Sequence, residues 1–268
     1  MTVAEIELEN RLGALPDAYP GFVQASLHSI KQCGLVSEVL DLLDENPGAT
    51  TDSVLIFESL RCGLVDRFGD DGARVPVPCE WLAMTAGMRE ILAGMRGKTL
   101  KSYQLAVAGN DGTLADRSVR LNLGQHAVDL NCCDFTFEVF GRPAELGAML
   151  CERMSLTDDF GYDPDVPVRA HAVGERVTGV ELVTDHAEVL GGGDAGALDV
   201  DVAVVVRTAH AAYTFARESW RSTGIRVAVS DGIAVPYRPG DVDAGWLGLA
   251  DASGIAVGGV SRTVAKLA

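Results

Sequence analysis

The sequence predicts an α+β fold, with an N-terminal helical layer, then antiparallel or mixed β-sheet, and a β-rich C-terminal half. Three observations carry this. Apolar residues recur at helical spacing through the first hundred positions, at about Lys101 the period drops to two, and beyond Val168 the apolar runs are strand-like and separated by glycines.

In order along the chain, Thr2-Val3-Ala4-Glu5 has the pattern of a capping box, followed by Ile6, Leu8, Leu12 and Leu15. After PDAYPG, FVQASLHSIKQC places Val23, Leu27 and Ile30 on one helical face and stops at Gly34, a residue that readily takes the left-handed turn ending a helix. LVSEVLDLLDEN repeats the spacing and halts at Asn46-Pro47-Gly48, and a further helix is expected from about Thr51 to Cys62. Trp81, Met84, Met88, Ile91, Leu92 and Met95 form the clearest helical stripe, the pattern of a core face.

Alternation then begins. SYQLAV and SVRLNL flank Asn110-Asp111-Gly112, residues that tolerate the positive φ of a hairpin turn. HAVDL and DFTFEV extend the sheet, and RPAELGAMLCERM reads as a short helix with Pro143 in its first turn. Residues 157–168 hold four aspartates, two prolines and a glycine, the composition of an acidic linker. The expected organisation is therefore 1–156, the linker 157–168, and a β-rich region 169–268 able to pack with the first. The layouts of 101–140 and 200–237 resemble one another, as a duplicated β unit would.

The formal net charge is −16, spread over both parts: residues 1–100 carry 15 acidic and 8 basic groups, and 101–268 carry 23 and 14. Phosphate backbones repel such a chain, so direct nucleic-acid binding is not expected. VLDLLDENPGATTDSVLIFESL resembles the opening of a helix-turn-helix module, but the following RCGLVDRFGDDG carries Asp66, Asp70 and Asp71 where a recognition helix needs cations. MTVAEIELEN lacks the basic start and apolar run of a secretory signal, and no run reaches the ~18 apolar residues of a membrane span. A cytoplasmic protein without membrane contact is expected.

The stretch VDLNCCDFTFEV is the strongest candidate for chemistry. A thiol nucleophile needs a base within hydrogen-bond reach and a group that orients it. Cys132 or Cys133 would be the nucleophile, His126 the base, and Asp129 or Asp134 the orienting carboxylate. Strand parity opposes this, because His126, Val128, Leu130 and Cys132 share one face while Asp129, Asn131 and Cys133 share the other. The six cysteines show no zinc spacing, and Gly191-Gly192-Gly193 lacks a phosphate-binding order, so neither metal nor cofactor is expected. His171, His186 and His210 are scattered through the β half and read as ordinary strand residues. Tyr213, Phe215, Trp220 and Arg221 form the best candidate interface, aromatic and arginine side chains being common anchors of protein contacts.

The expected function is that of a non-catalytic acidic intracellular protein that binds another macromolecule, as an adaptor, inhibitor or immunity-type partner. The other protein is expected to present a basic surface. Two alternatives stand beside it: a thiol-dependent enzyme built on the Cys132/Cys133 region, and a structural subunit that pairs through exposed sheet edges.

Overall fold

The computed structural model describes residues 1–14, 27, 31, 36–45, 77–78, 82–84, 86–107, 112–139, 142–157, 160, 166–191, 194–220, 222–240 and 255–268. The expected helix over 51–62, the Asn110-Asp111 turn pair, Arg221 and most of the acidic linker lie outside the described residues.

Helix α1 (Val3–Gly13) opens with the capping box its sequence encodes. The Glu5 N–H donates to Thr2 Oγ1 at 3.2 Å, and the Thr2 N–H donates to Glu5 Oε2 at 2.8 Å. Leu8 and Leu12, one turn apart, are buried against helix α2 (Val36–Glu45), which contributes Val39 and Leu43. Helix α3 (Ala86–Ala93) buries Met88 and Leu92, flanked by Leu82, Met84 and Met95, so the methionine stripe is core.

The rest is a predominantly antiparallel sheet of eleven strands. They are β1 (Val77–Pro78), β2 (Thr99–Val107), β3 (Leu114–Asn122), β4 (Ala127–Val139), β5 (Arg142–Met154) and β6 (Val168–Arg176), then β7 (Gly179–Gly191), β8 (Asp194–Arg207), β9 (Ala212–Arg217), β10 (Gly224–Ser230) and β11 (Ile255–Lys266). Among the described residues only β1, which runs parallel to β4, departs from antiparallel pairing. Helices and strands bury their apolar faces in one continuous core.

The segment expected to be helical after Pro143 is strand β5, paired with β4 from Ala127↔Met154 to Val139↔Arg142. Its run from Leu146 to Cys151 is buried on both faces, so it does not alternate, and its Ala, Leu and Met content imitates a helix. Tertiary pairing overrides local propensity here.

Two groups of strands repeat one topology. β2-β3-β4-β5 is a meander whose following strand, β6, returns to pair with β2; β7-β8-β9-β10 is a meander whose following strand, β11, returns to pair with β7. The duplicated unit expected from 101–140 and 200–237 therefore exists as topology, in a different frame: β2 corresponds to β7. The groups join where β10 pairs with β3 and where Val177 and Thr178 lead straight from β6 into β7. One sheet thus spans the residues on both sides of the expected linker.

The join at β3 has a local cause. Between Leu105↔Val119 and Val107↔Ala115, β3 uses two more residues than β2, and Arg117 within that bulge has φ 64°. On its other edge β3 pairs with β4 over 118–122 and with β10 over 114–116, so the bulge lies where the strand exchanges one neighbour for another. A β-branched side chain resists positive φ. Arg117→Val should lower stability by about 1–2 kcal/mol while Arg117→Gly leaves it unchanged or higher, measured by urea unfolding; equal losses in both would place no strain at this bulge.

Candidate functional site

Of the thiol–imidazole–carboxylate set expected from the sequence, the members whose side chains are described, Cys132, His126 and Asp129, do not come together. Cys132 is fully buried on the core face of β4 with Val128 and Leu130, opposite Met149. His126 precedes β4 in the turn where the Leu123 N–H donates to its carbonyl. Six residues of strand separate the two side chains, about 20 Å. Burial and the nearby cations Arg153 and Lys98 hold the His126 imidazole below its ordinary pKa, and its buried Nδ1 has no hydrogen-bond partner among the described residues.

Asp129 faces the other way. It accepts from Arg120 Nε and Nη2, both at 2.8 Å, across the β3–β4 ladder, and the Phe160 ring lies 5.0 Å from that guanidinium. Each of Asp129 and Arg120 is 5 % exposed, so this is a forked, buried ion pair rather than an orienting group for a histidine. Cys133 and Asp134 pair through the backbone with Ala148 and Gly147; their side chains lie outside the described residues.

The aromatic candidates for an interface are interior. Tyr213, Phe215 and Trp220 are 7 %, 0 % and 3 % exposed. Tyr213 and Phe215 meet Tyr103 edge-on, and burial raises the phenol pKa of both tyrosines. Aromatic alternation in β9 filled a sheet face and so gave the same signal as a contact patch. Beside them Arg217 is fully buried, donating Nη2 to the Trp220 carbonyl while Nε and Nη1 have no acceptor among the described residues.

What the sequence reading missed is polar chemistry on the two faces of β7. On one face the buried Asp185 carboxylate accepts from Arg262 Nε at 2.6 Å and Nη2 at 2.9 Å, and from Trp220 Nε1 and Tyr237 Oη, each at 3.1 Å. Burial and the adjacent Asp185 charge push the Tyr237 phenol well above its usual range, keeping it a neutral donor.

On the other face His186 stands directly opposite Asp199 of β8. Its Nδ1 lies 2.6 Å from Asp199 Oδ1 and its Nε2 lies 2.6 Å from Thr263 Oγ1 of β11. With Nδ1–H donating to the carboxylate, the Thr263 hydroxyl donates to Nε2. The set is a carboxylate–imidazole–hydroxyl relay across three strands, open to solvent. Two pairs further along the ladder, the buried Asp201 accepts from Thr184 Oγ1 at 2.5 Å and from the Met84 N–H at 2.6 Å, which fixes the approach to α3. Burial pushes the Asp201 carboxyl up, against those two hydrogen bonds and Arg89.

Alternation in VELVTDHAEVL would have placed Asp185 and His186 on opposite faces. The pairing of β7 with β11, more than seventy residues away, was the missing information.

β11 closes this end of the sheet. Among the described residues it pairs only with β7, so its outer edge is open. The Leu267 N–H donates to the Val180 carbonyl, so by alternation the N–H groups of Arg262 and Val264 point outward. Val264 is 47 % exposed.

No protein-family model matches the chain, and comparisons with curated proteins and with solved structures find no significant match.

Buried thiols are protected from reagents. Cys132 and Cys151 should resist alkylation at pH 6–8 in the native protein and react only on unfolding, read by mass spectrometry of each labelled peptide. Fast native labelling of Cys132 at pH 6 would restore the thiol enzyme as a reading.

Proposed function

We propose that this chain is a non-catalytic binding protein that holds an extended segment of another protein as an added strand along β11. The open outer edge of β11 carries the proposal: a long strand tied firmly to β7 on one side offers a row of outward N–H and C=O groups on the other. The net charge of −16 favours a basic segment and fast, salt-dependent association. An adaptor, an inhibitor and an immunity-type partner would all use such an edge.

The test exploits proline. At Val264 it removes an outward donor while leaving the β7 ladder intact. Affinity capture from cells should retain a partner at low salt, release it at about 0.5 M salt, where the Debye length falls to a few ångströms, and lose it with Val264→Pro. If no complex depends on both salt and Val264, the reading fails. Light scattering on the purified chain separates this from self-pairing, which would appear as a dimer also abolished by Val264→Pro.

A second reading rests on the relay. Thr263 Oγ1, with His186 to take its proton and Asp199 to orient the ring, has the arrangement of an activated hydroxyl nucleophile. A fluorophosphonate probe should then label Thr263, with labelling at least tenfold weaker in His186→Ala; absence of label at Thr263 removes this reading.

A further inference from the structure

A pocket of about 440 Å³ lies where the two strand groups meet end to end. Its lining includes Arg96, Thr178, Glu181, Arg207, Lys266 and Leu267. Its position follows from the backbone. After α3 the chain turns through Gly97, at φ 81°, whose N–H donates to the Val177 carbonyl at 2.9 Å, and the Val177 N–H returns to the Lys98 carbonyl at 2.9 Å. This sewing sets Arg96 at the start of β7. Thr178 donates its N–H and its hydroxyl to the Arg207 carbonyl at 2.8 and 3.2 Å, fixing the backbone of the second cation. The third, Lys266, comes from the last residue of β11.

The charges are unbalanced. Glu181 is 6 % exposed and binds Arg207 Nη2 at 2.8 Å, so it holds that guanidinium in place and answers its charge. Arg96 and Lys266 make no ion pair among the described residues. Arg176 Nη2 lies 3.6 Å from the position a Cβ on Gly97 would take, so a further guanidinium stands at the turn after α3, outside the pocket lining. Among the lining side chains, Arg96, Arg207 and Lys266 face the single carboxylate of Glu181. A chain with 38 acidic and 22 basic residues has little need to place this many cations together. Their mutual repulsion opposes folding unless an anion relieves it.

We propose that this pocket binds a small organic dianion of the phosphate-monoester type. Two unanswered cations match a dianion, and a guanidinium fork suits phosphate oxygens. The volume far exceeds a bare phosphate and leaves room for an organic group against Leu267 and Thr178. The site adjoins the C-terminal end of β11 but does not rest on strand addition, and its test needs no protein partner.

Thermal unfolding of the full chain at constant ionic strength tests it, with inorganic phosphate, ribose 5-phosphate and succinate as probes. A ligand at ten times its Kd should raise the melting temperature by roughly 2–3 °C. The expected order is ribose 5-phosphate tighter than inorganic phosphate, with no saturable rise from succinate. The exposed double variant Arg96→Ala/Lys266→Ala should melt at or above wild type without ligand and lose the response. Arg169→Ala, at the far end of β6, should keep it. Three results overturn the proposal: no saturable rise, an equal rise in the double variant, which would mean an adventitious ion only, or a succinate response matching that of phosphate. Inorganic phosphate binding more tightly than the monoester would assign the pocket to free phosphate and remove the organic ligand.

Discussion

The Asp185 carboxylate is the group on which the second strand group depends. It is fully buried and receives four donor contacts from three residues far apart in the chain. Arg262 brings β11 to it, Trp220 brings the turn after β9, and Tyr237 brings the segment after β10. A buried carboxylate is tolerable only when its lone pairs are met, and each partner here would be left costly and unpaired without it. Arg262 is held further by the Tyr237 carbonyl at 3.0 Å and by the ring of that residue, 4.8 Å from its guanidinium. Apolar contacts alone would bury these segments without choosing a register. The ion pair chooses it, because Asp185 and Arg262 must stand opposite one another.

The opposite face of β7 makes the same strand pairing a second time. His186 bridges Asp199 on β8 and Thr263 on β11, so the edge strand is clamped from both sides of the sheet. An edge fixed in this way is a rigid template, and a rigid template loses little conformational entropy when a further strand is added. That is the physical link between the hub and the proposed use of β11. The relay and the edge share Thr263, so an occupant along β11 would lie beside the relay hydroxyl.

How much of this was legible depended on range. The capping box at Thr2 and Glu5 and the strand signals of β2 and β3 are local, and the structure reproduces them, although Ser118 to Leu121 of β3 are buried on both faces. Parity correctly separated Asp129 from Cys132, because side-chain alternation is set by the pleat. β5 was misread because Leu146 to Cys151 are buried on both faces, so the only periodic signal was compositional and helix-like. Asp185, His186 and the junction pocket were invisible for a different reason. Each acquires its meaning from a residue on a strand tens of positions away, and a single sequence does not state which strands are neighbours.

The repeated topology explains why a charged pocket arises at the seam. Within each group the returning fifth strand pairs with the first, so each group brings the end of one strand and the beginning of the next to the same side. Val177 and Thr178 are too short a link to separate the groups, and the C-terminal ends of β6, β8 and β11 therefore crowd against the turn after α3. Crowded strand ends supply free backbone polar groups, which Gly97, Val177, Thr178 and Val180 satisfy by bonds to one another and to Lys98, Arg207, Leu267 and Ala268. Once those hydrogen bonds close, the side chains at the seam are released from structural duty. Apolar residues there would have extended the core, as they do at Val177 and Val180. Arg96, Arg207 and Lys266 do not extend it, and among the described residues only Arg207 of the three is drawn into an ion pair, with the buried Glu181. A seam closed by its backbone and lined by cations has the form of a binding site more than of a joint.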